Sequence, residues 1–196
     1  MPSAFDRSIF DEPDSLEASA PKKKFKVAPT FVIDLVISAL FVFAVMPTWR
    51  ASMALSLGVN LVSFVLGLAI CGCYLAKVLV VSHLDRRGGD ARAYVKSSAL
   101  VTDGPYGLSR HPTYAIAMLQ FLLWSALALF LQVFTPWNPV MLVAAFALPV
   151  AFYFINDRVV MPTEEAMLRK LHPDDFDAYA AEVRRWFGKY RGAPRG

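Results

Sequence analysis

Several residues that could bind a charged ligand lie in the stretch LVTDGPYGLSRHPTY, residues 100–114. Pro112 suits the first position of a helix, where its missing N–H costs nothing, so we expect a helix to begin at His111 or Pro112. Arg110 and His111 then lie at the partially positive end of that helix, beside unpaired backbone N–H groups. This arrangement predicts binding of a carboxylate or a phosphate.

Aromatic and acidic side chains could complete such a site. Gly104 and Gly107 flank Pro105–Tyr106, and this turn lets the backbone approach a ligand closely while the tyrosine ring offers a flat surface. Glu164 and Glu165 lie near a predicted helix start, where a carboxylate can accept hydrogen bonds from hydroxyls or an amine. An anion site, an aromatic surface and a carboxylate together fit a zwitterionic nucleoside cofactor.

The same residues also have simpler interpretations. Arg110 could be a topology anchor, and Tyr106, Tyr114 and Trp186 could form an interfacial aromatic belt, since both features are common in membrane proteins. Glu164 and Glu165 could simply lie on a helix face that is exposed to solvent. His83 and His172 lack the spacing of metal ligands, so we expect them at the surface and predict no metal site.

The elements that position these residues are predicted to be membrane helices. The chain has 196 residues, of which 56% are hydrophobic, and its apolar residues concentrate at about 31–49, 55–81, 112–134 and 138–156. Each block approaches or exceeds the roughly 20 residues that cross a bilayer as a helix. We therefore predict an all-α polytopic membrane protein with about four transmembrane helices.

The positions of Lys and Arg predict the topology. Four occur in KKKFK before the first block, one (Arg50) between the first and second, five from Arg86 to Arg110, none between the third and fourth, and eight after the fourth. This alternation places both termini and the loop at 83–111 in the cytosol. Because the basic residues flank apolar blocks, we expect no nucleic-acid partner.

The chain is predicted to hold one membrane domain, at 29–196, after a disordered cytosolic tail at 1–28. The tail is too polar to fold alone, and because it precedes the first block, that block is not a signal peptide. The compact chain suggests a bacterial inner-membrane protein. Its oligomeric state is left open by the sequence.

Charged residues beyond the fourth block predict two short amphipathic helices over 162–188, separated at Pro173. In the second helix, Phe176, Tyr179, Val183 and Phe187 recur at near-helical spacing. Such a helix is expected to lie against the membrane face or to cover the cytosolic loop. These helices and that loop would form the cofactor site.

Two charged residues fall inside the predicted spans. Asp34 lies shortly after the cytosolic start of the first span and Lys77 shortly before the cytosolic end of the second, so an antiparallel hairpin brings them to similar depth. We expect an intramembrane ion pair, with snorkelling of the lysine as the alternative. Cys71 and Cys73, also inside the second span, are expected to act as small apolar residues.

The stretch at 100–114, followed by a span and then by EEAML, FDAYAAEV and RRW, resembles the isoprenylcysteine carboxyl methyltransferase family over about 98–187. This resemblance implies an integral-membrane methyltransferase that uses S-adenosylmethionine and releases S-adenosylhomocysteine. The family's cofactor contacts fall on Ser98, Ala99, Leu100, Val101, Tyr106, His111, Pro112, Thr113, Tyr114 and Glu164.

This chain departs from the family pattern at two positions, and the second departure concerns the methyl acceptor. Eukaryotic members have a histidine where this chain has Ser98, and an arginine linked to substrate recognition where it has Val160. Arg158 is a candidate substitute as a substrate contact. The resemblance implies a lipophilic acceptor, and a prenylated cysteine, another lipid carboxylate, a phospholipid amine and a small hydrophobic thiol are the candidates.

Two other functions compete with methyl transfer. The region around RHP also resembles membrane reductases of the sterol-reductase type, which use NADPH, although the short chain, EEAML and VRRW favour the methyltransferase. A non-enzymatic scaffold whose basic loop binds anionic lipid headgroups is the other alternative. It predicts salt-sensitive lipid binding without a nucleoside ligand.

Overall fold

The computed structural model describes residues 29–52, 57–89 and 99–190. In these ranges the chain is helical, and its one β-type pairing is an isolated antiparallel bridge between Val183 and Lys189. The all-α prediction is confirmed. The predicted tail at 1–28 and Ser98 lie outside the described residues. The helices are α1 (Pro29–Ser52), α2 (Leu57–Arg86), α3 (Pro112–Phe134), α4 (Pro139–Ile155), α5 (Met161–Leu171) and α6 (Pro173–Glu182), with a 3₁₀ turn at Gly104–Gly107.

Three helices are long and apolar enough to cross a membrane: α2, α3, and the continuous helix Pro139–Leu171 that contains α4 and α5. α1 contains a shorter apolar stretch, Asp34–Thr48. Large apolar side chains point outward on these helices, among them Phe43, which is 82% exposed, and Phe146, which is 62% exposed. So much exposed apolar surface is typical of a protein that lies in a bilayer.

α3 is the central helix, and α1, α2 and α4 all pack against it. The ring of Phe41 in α1 stacks on Phe121 and Trp124 of α3, with centroid separations of 6.2 and 5.9 Å. On the opposite side Phe121 meets Phe152 of α4 edge-on at 4.7 Å. These buried aromatic contacts fix α3 in the bundle, and therefore fix the position of its first residues.

The turn between α3 and α4 is closed by two amide side chains. Asn138 caps α4, because its Oδ1 accepts from the N–H groups of Val140 and Met141. Gln132 in the last turns of α3 donates to Asn138 O at 3.1 Å and accepts from Asn138 N at 3.0 Å. This reciprocal pair holds the ends of the two helices together.

The sequence predicts an end of the fourth span near 156 and a new helix from 162, but the structure joins them without a break. α4 passes through one π-helical turn, Asn156–Val160, into α5. In a π-helix, the N–H of residue 162 would donate to the carbonyl of Asp157. Pro162 has no N–H, so this carbonyl lacks its helical donor. That carbonyl accepts from Arg185 Nη1 at 3.3 Å instead. The proline is thus accommodated inside a continuous helix.

The two predicted C-terminal helices are present as α5 and α6, separated between Leu171 and Pro173, but the prediction that they reach residue 188 is wrong. α6 ends at Glu182, and the chain then folds back over residues 183–190, named here the C-terminal segment. Tyr190 N donates to Glu182 O at 2.9 Å, and Gly188 adopts a positive φ of 88°. Phe187 is consequently 61% exposed rather than on a buried helix face.

Candidate functional site

The segment before α3 is held in register by the C-terminal segment. Arg110 N donates to Arg184 O at 3.0 Å and His111 N donates to Arg185 O at 3.3 Å. Ser109 Oγ also donates to Arg185 O, at 3.0 Å. These bonds bring the RHP and RRW motifs into direct contact, although the sequence separates them by more than seventy residues.

His111 lies between two carboxylates of α5. Its Nδ1 is 3.3 Å from Glu164 Oε2 and its Nε2 is 3.2 Å from Glu165 Oε1, and the residue is 6% exposed. Tyr114 donates from its hydroxyl to Glu164 Oε1 at 2.7 Å. An imidazole with a carboxylate at each nitrogen is best satisfied when both nitrogens carry a proton. The site therefore favours a histidine cation.

Two arginines bind the second of these carboxylates. Arg185 donates to Glu165 through Nε at 3.0 Å and through Nη2 at 2.8 Å, the paired geometry that makes arginine–carboxylate contacts strong. Arg110 Nη2 lies 3.3 Å from Glu165 Oε1. The five residues Arg110, His111, Glu164, Glu165 and Arg185 are called the charge cluster below. It connects the start of α3, the middle of α5 and the C-terminal segment.

The charge cluster is anchored to the π-helical turn. Trp186 donates from Nε1 to Asp157 Oδ1 at 3.0 Å, and Arg185 Nη1 lies 3.5 Å from the same oxygen. The Trp186 ring stacks on Tyr153, with centroids 5.3 Å apart. Arg185, Asp157 and Trp186 therefore belong to the site, and none of them was among its predicted binding residues. The RRW motif is a signal for two of them, but it falls inside the second amphipathic helix that the sequence predicts up to residue 188.

The turn that carries Tyr106 lies beside α6. Tyr179 donates from its hydroxyl to Tyr106 O at 2.7 Å. Burial raises the pKa of Tyr106 well above its ordinary value, although a hydrogen bond with Thr113 opposes this, so the phenol stays neutral at physiological pH. Gly104 has a φ of 56°, and a Cβ there would lie 2.8 Å from the ring of His83. Glycine is therefore required at this close approach.

The structure brings five of the predicted binding residues together: Arg110, His111, Tyr114, Glu164 and Glu165. Pro112 occupies the predicted first position of α3. In the segment 99–101, Val101 is buried and Leu100 packs against Phe176, Tyr179 and Val183, which places this segment beside α6.

Arg158, the candidate substitute for the family arginine, lies outside the charge cluster. Its side chain is 74% exposed, and its Nε is 3.6 Å from Asp157 Oδ2. Val160, at the family arginine's position, packs against the bundle core. The arginines that contact Glu165 are Arg110 and, from the C-terminal segment, Arg185. In the described part of the chain, no group of three or more His, Cys, Asp and Glu residues is arranged to hold a metal ion.

The electrostatics of the charge cluster favour its ionised form. Burial lowers the pKa of His111, but hydrogen bonds and charge interactions with Glu164 and Glu165 raise it by more, so the net direction is upward. The hydrogen bond with Glu165 raises the pKa of Arg185, against a smaller opposing effect of burial. Both cations are thus stabilised by the carboxylates of α5.

We expect the melting temperature of the detergent-purified protein to fall as pH rises through the raised pKa of His111. A raised folded-state pKa contributes stability that is complete below the unfolded value, about 6.5, and is lost above the folded value. Thermal unfolding measured from pH 5.5 to 9 tests this. His111→Gln should reduce the dependence of the melting temperature on pH. His172→Gln, which changes a histidine outside the charge cluster, should leave that dependence unchanged. An equal slope in His111→Gln would contradict the assignment.

The unpaired groups of the cluster determine what it can bind. Arg110 Nε is buried and has no hydrogen-bond partner within the described residues, so a donor remains for an anion. The Glu164 side chain is 15% exposed, more than that of Glu165, and can accept from a further hydroxyl or ammonium group. The cluster thus offers a cationic donor and an anionic acceptor close together, as a zwitterion requires.

A scan against protein-family models gave no match to the chain. Searches of curated proteins and of solved structures also gave none.

Proposed function

We propose that this chain is an integral-membrane methyltransferase that uses S-adenosylmethionine to methylate a lipophilic acceptor at the cytosolic membrane face. Four spans, α1 to α4, with both termini in the cytosol agree with the distribution of Lys and Arg. In this topology the start of α3, the polar part of α5 and the C-terminal segment all lie on the cytosolic side, where a soluble cofactor arrives.

The observation that carries the proposal is the charge cluster at the start of α3, where Arg110 Nε has no hydrogen-bond partner among the residues that the structure describes. The cofactor has an α-carboxylate, an ammonium group and ribose hydroxyls. Arg110 can donate to the carboxylate, and Glu164 can accept from the ammonium or a hydroxyl. The residues therefore fit the cofactor, and the N-terminal end of α3 adds favourable potential for the carboxylate.

Each member of the site has a distinct role in this proposal. The bidentate contact of Arg185 with Glu165 holds the C-terminal segment over the start of α3. His111 bridges both glutamates and fixes the orientation of the carboxylate that faces the ligand. Tyr106 and Tyr114 offer ring surfaces to a cation. These groups bind and orient; they are not required to move a proton.

When bound, the cofactor supplies a methyl group on a positively charged sulfur, which is an electrophile for in-line displacement. An acceptor that is already an anion needs no general base, because charge is neutralised as the new bond forms. The protein's contribution is then alignment of the two reactants and exclusion of water. The apolar outer surfaces of α2, α3 and α4 allow an acceptor to approach from the bilayer. A carboxylate of the isoprenylcysteine type is one acceptor of this class.

Calorimetric titration of the detergent-purified protein with S-adenosylhomocysteine tests the proposal. We expect one-to-one binding that His111→Ala and Glu164→Ala each weaken by about tenfold or more, since each removes charge-assisted hydrogen bonds. Arg169→Ala is the matched control, because Arg169 is an exposed residue of α5 that pairs with Asp177 of α6, outside the charge cluster. Circular dichroism before and after heating checks that each variant is folded.

The same titration separates the competing functions. Binding of NADPH, run in parallel, would replace the methyltransferase with a reductase. If neither nucleotide binds and the protein binds anionic vesicles in a salt-sensitive manner, the scaffold is the better description. Affinity for S-adenosylhomocysteine that is unchanged in both variants would place the cofactor elsewhere.

A further inference from the structure

Large apolar side chains are exposed at the C-terminal segment, outside the charge cluster. Phe187 is 61% exposed and Tyr190 is 45% exposed. Leu108, which is 65% exposed, adjoins this segment, because Gly188 N donates to Leu108 O at 2.7 Å. The side chains of Leu108, Phe187 and Tyr190 are called the exposed patch below. Apolar side chains grouped at a surface mark a place that another molecule or a membrane covers.

Distances along α4 place the exposed patch at the level of a membrane surface. Asp157 follows Pro139 by 18 residues, which is about 27 Å along a helix and close to the ~30 Å of bilayer hydrocarbon. Trp186 donates to Asp157, and Phe187 is the next residue. At the other end of α4, Trp137 is exposed just before Pro139. Trp137 and Trp186 thus mark two levels one bilayer apart, as tryptophans do at the two membrane interfaces.

The C-terminal segment lies against the outward side of α4. Phe146, Val150 and Phe154 recur every four residues on this helix and are each more than half exposed, as lipid-facing residues are. The ring of Tyr153 meets Phe154 edge-on at 5.5 Å and stacks on Trp186 at 5.3 Å. The apolar outer surface of α4 therefore continues through Tyr153 into the C-terminal segment.

Exposed basic side chains accompany the patch. The Arg184 guanidinium lies over the Tyr190 ring, 5.3 Å from its centroid, and forms no ion pair within the described ranges. Arg158, in the π-helical turn, is 74% exposed. Arginine and tyrosine each combine an apolar body with a polar tip, and arginine near a membrane surface is attracted to anionic headgroups. This composition is typical of a segment that lies in the membrane interface.

We propose that the exposed patch and Arg184 anchor the C-terminal segment in the headgroup region of the bilayer, at the end of α4 that joins α5. Leu108 and Phe187 bury their side chains beneath the lipid phosphates, and Arg184 binds those phosphates. Because the C-terminal segment bonds to the residues before α3, this anchor holds the charge cluster at the bilayer surface. The inference goes beyond the proposed function, since the anchor requires neither a cofactor nor methyl transfer.

Power-saturation EPR of the full-length protein in nanodiscs that contain phosphatidylglycerol tests the anchor. A nitroxide label is attached to Phe187→Cys after Cys71→Ala and Cys73→Ala have removed the other thiols. The matched control is a label on Lys170→Cys, an exposed position about 20 Å beyond Asp157 along the continuous helix. Oxygen concentrates in the bilayer, whereas nickel ethylenediaminediacetate stays in water. We expect the ratio of oxygen to nickel collisions to be several-fold higher at 187 than at 170.

Three results would overturn the anchor or a part of it. Equal ratios at 187 and 170 would place the patch in water. A label at 187 that neither reagent reaches, with dipolar broadening between labels, would mean that a second copy of the chain covers the patch. A label on Leu108→Cys repeats the measurement without changing Phe187. Arg184→Gln should lower the ratio at 187, and an unchanged ratio would overturn the assignment of Arg184 to the lipid phosphates.

Discussion

Glu165→Gln is expected to cost about 3–5 kcal/mol of unfolding free energy, the range for removing one partner of a buried ion pair. The carboxylate is 9% exposed and is contacted by His111, Arg110 and Arg185, so its removal takes a counter-charge from each of these three cations. His111 keeps its contact with Glu164, and Arg185 keeps its contact with Asp157. A neutral amide of the same size cannot replace it, since it offers one acceptor oxygen. Thermal or denaturant unfolding in detergent measures the loss.

Glu182→Gln is the matched control for that loss. Glu182 pairs with Lys189 on the exposed surface, where ion pairs contribute about 0–1 kcal/mol. We expect the double variant Glu165→Gln/Arg185→Gln to be less damaged than the sum of its single variants, because it removes a charge together with its partner. Equal stability of Glu165→Gln and the wild type would show that the charge cluster does not hold the C-terminal segment.

Lys77→Met is expected to cause a loss of similar size in the membrane region. It leaves the Asp34 carboxylate buried among helices with no cation, at a cost of about 3–5 kcal/mol. Adding Asp34→Asn removes the uncompensated charge, so the double variant should recover most of the lost stability. Unfolding of Lys77→Met, of Asp34→Asn and of the double variant in the same detergent gives the double-mutant cycle.

The outcome of that cycle also identifies what the lysine does. If Lys77→Met is as stable as the double variant, the pair contributes nothing and the lysine merely reaches for the membrane surface.

Much of the fold was accessible from local patterns. The apolar blocks predicted the helices of the bundle, Pro112 predicted where α3 begins, and Asp34 and Lys77 predicted their own ion pair. Each of these inferences depends on length, on one residue's backbone chemistry, or on the cost of charge in hydrocarbon. Such properties belong to short segments and can be read without knowing the packing.

The missed features depend on contacts between distant segments. Near-helical spacing extended the last helix to Phe187, but the backbone of the C-terminal segment bonds to residues 108–111 instead of continuing α6. Pro162 predicted a helix start because proline is unfavourable in the interior of a helix. The sequence does not show that Arg185 donates to the carbonyl of Asp157, which lets the helix continue through this proline. Tertiary hydrogen bonds decided both positions.

The bonds between the C-terminal segment and the start of α3 also set an order of events during synthesis. Ser109 and Arg185 are 76 residues apart, so at about 5–20 residues per second the ribosome delivers Arg185 roughly 4 to 15 s after Ser109. For most of that interval Arg110 and His111 lack α5, and until its end they lack Arg185. The nascent chain therefore acquires the helices of its bundle first, and the charge cluster is completed only when the C-terminal segment has emerged.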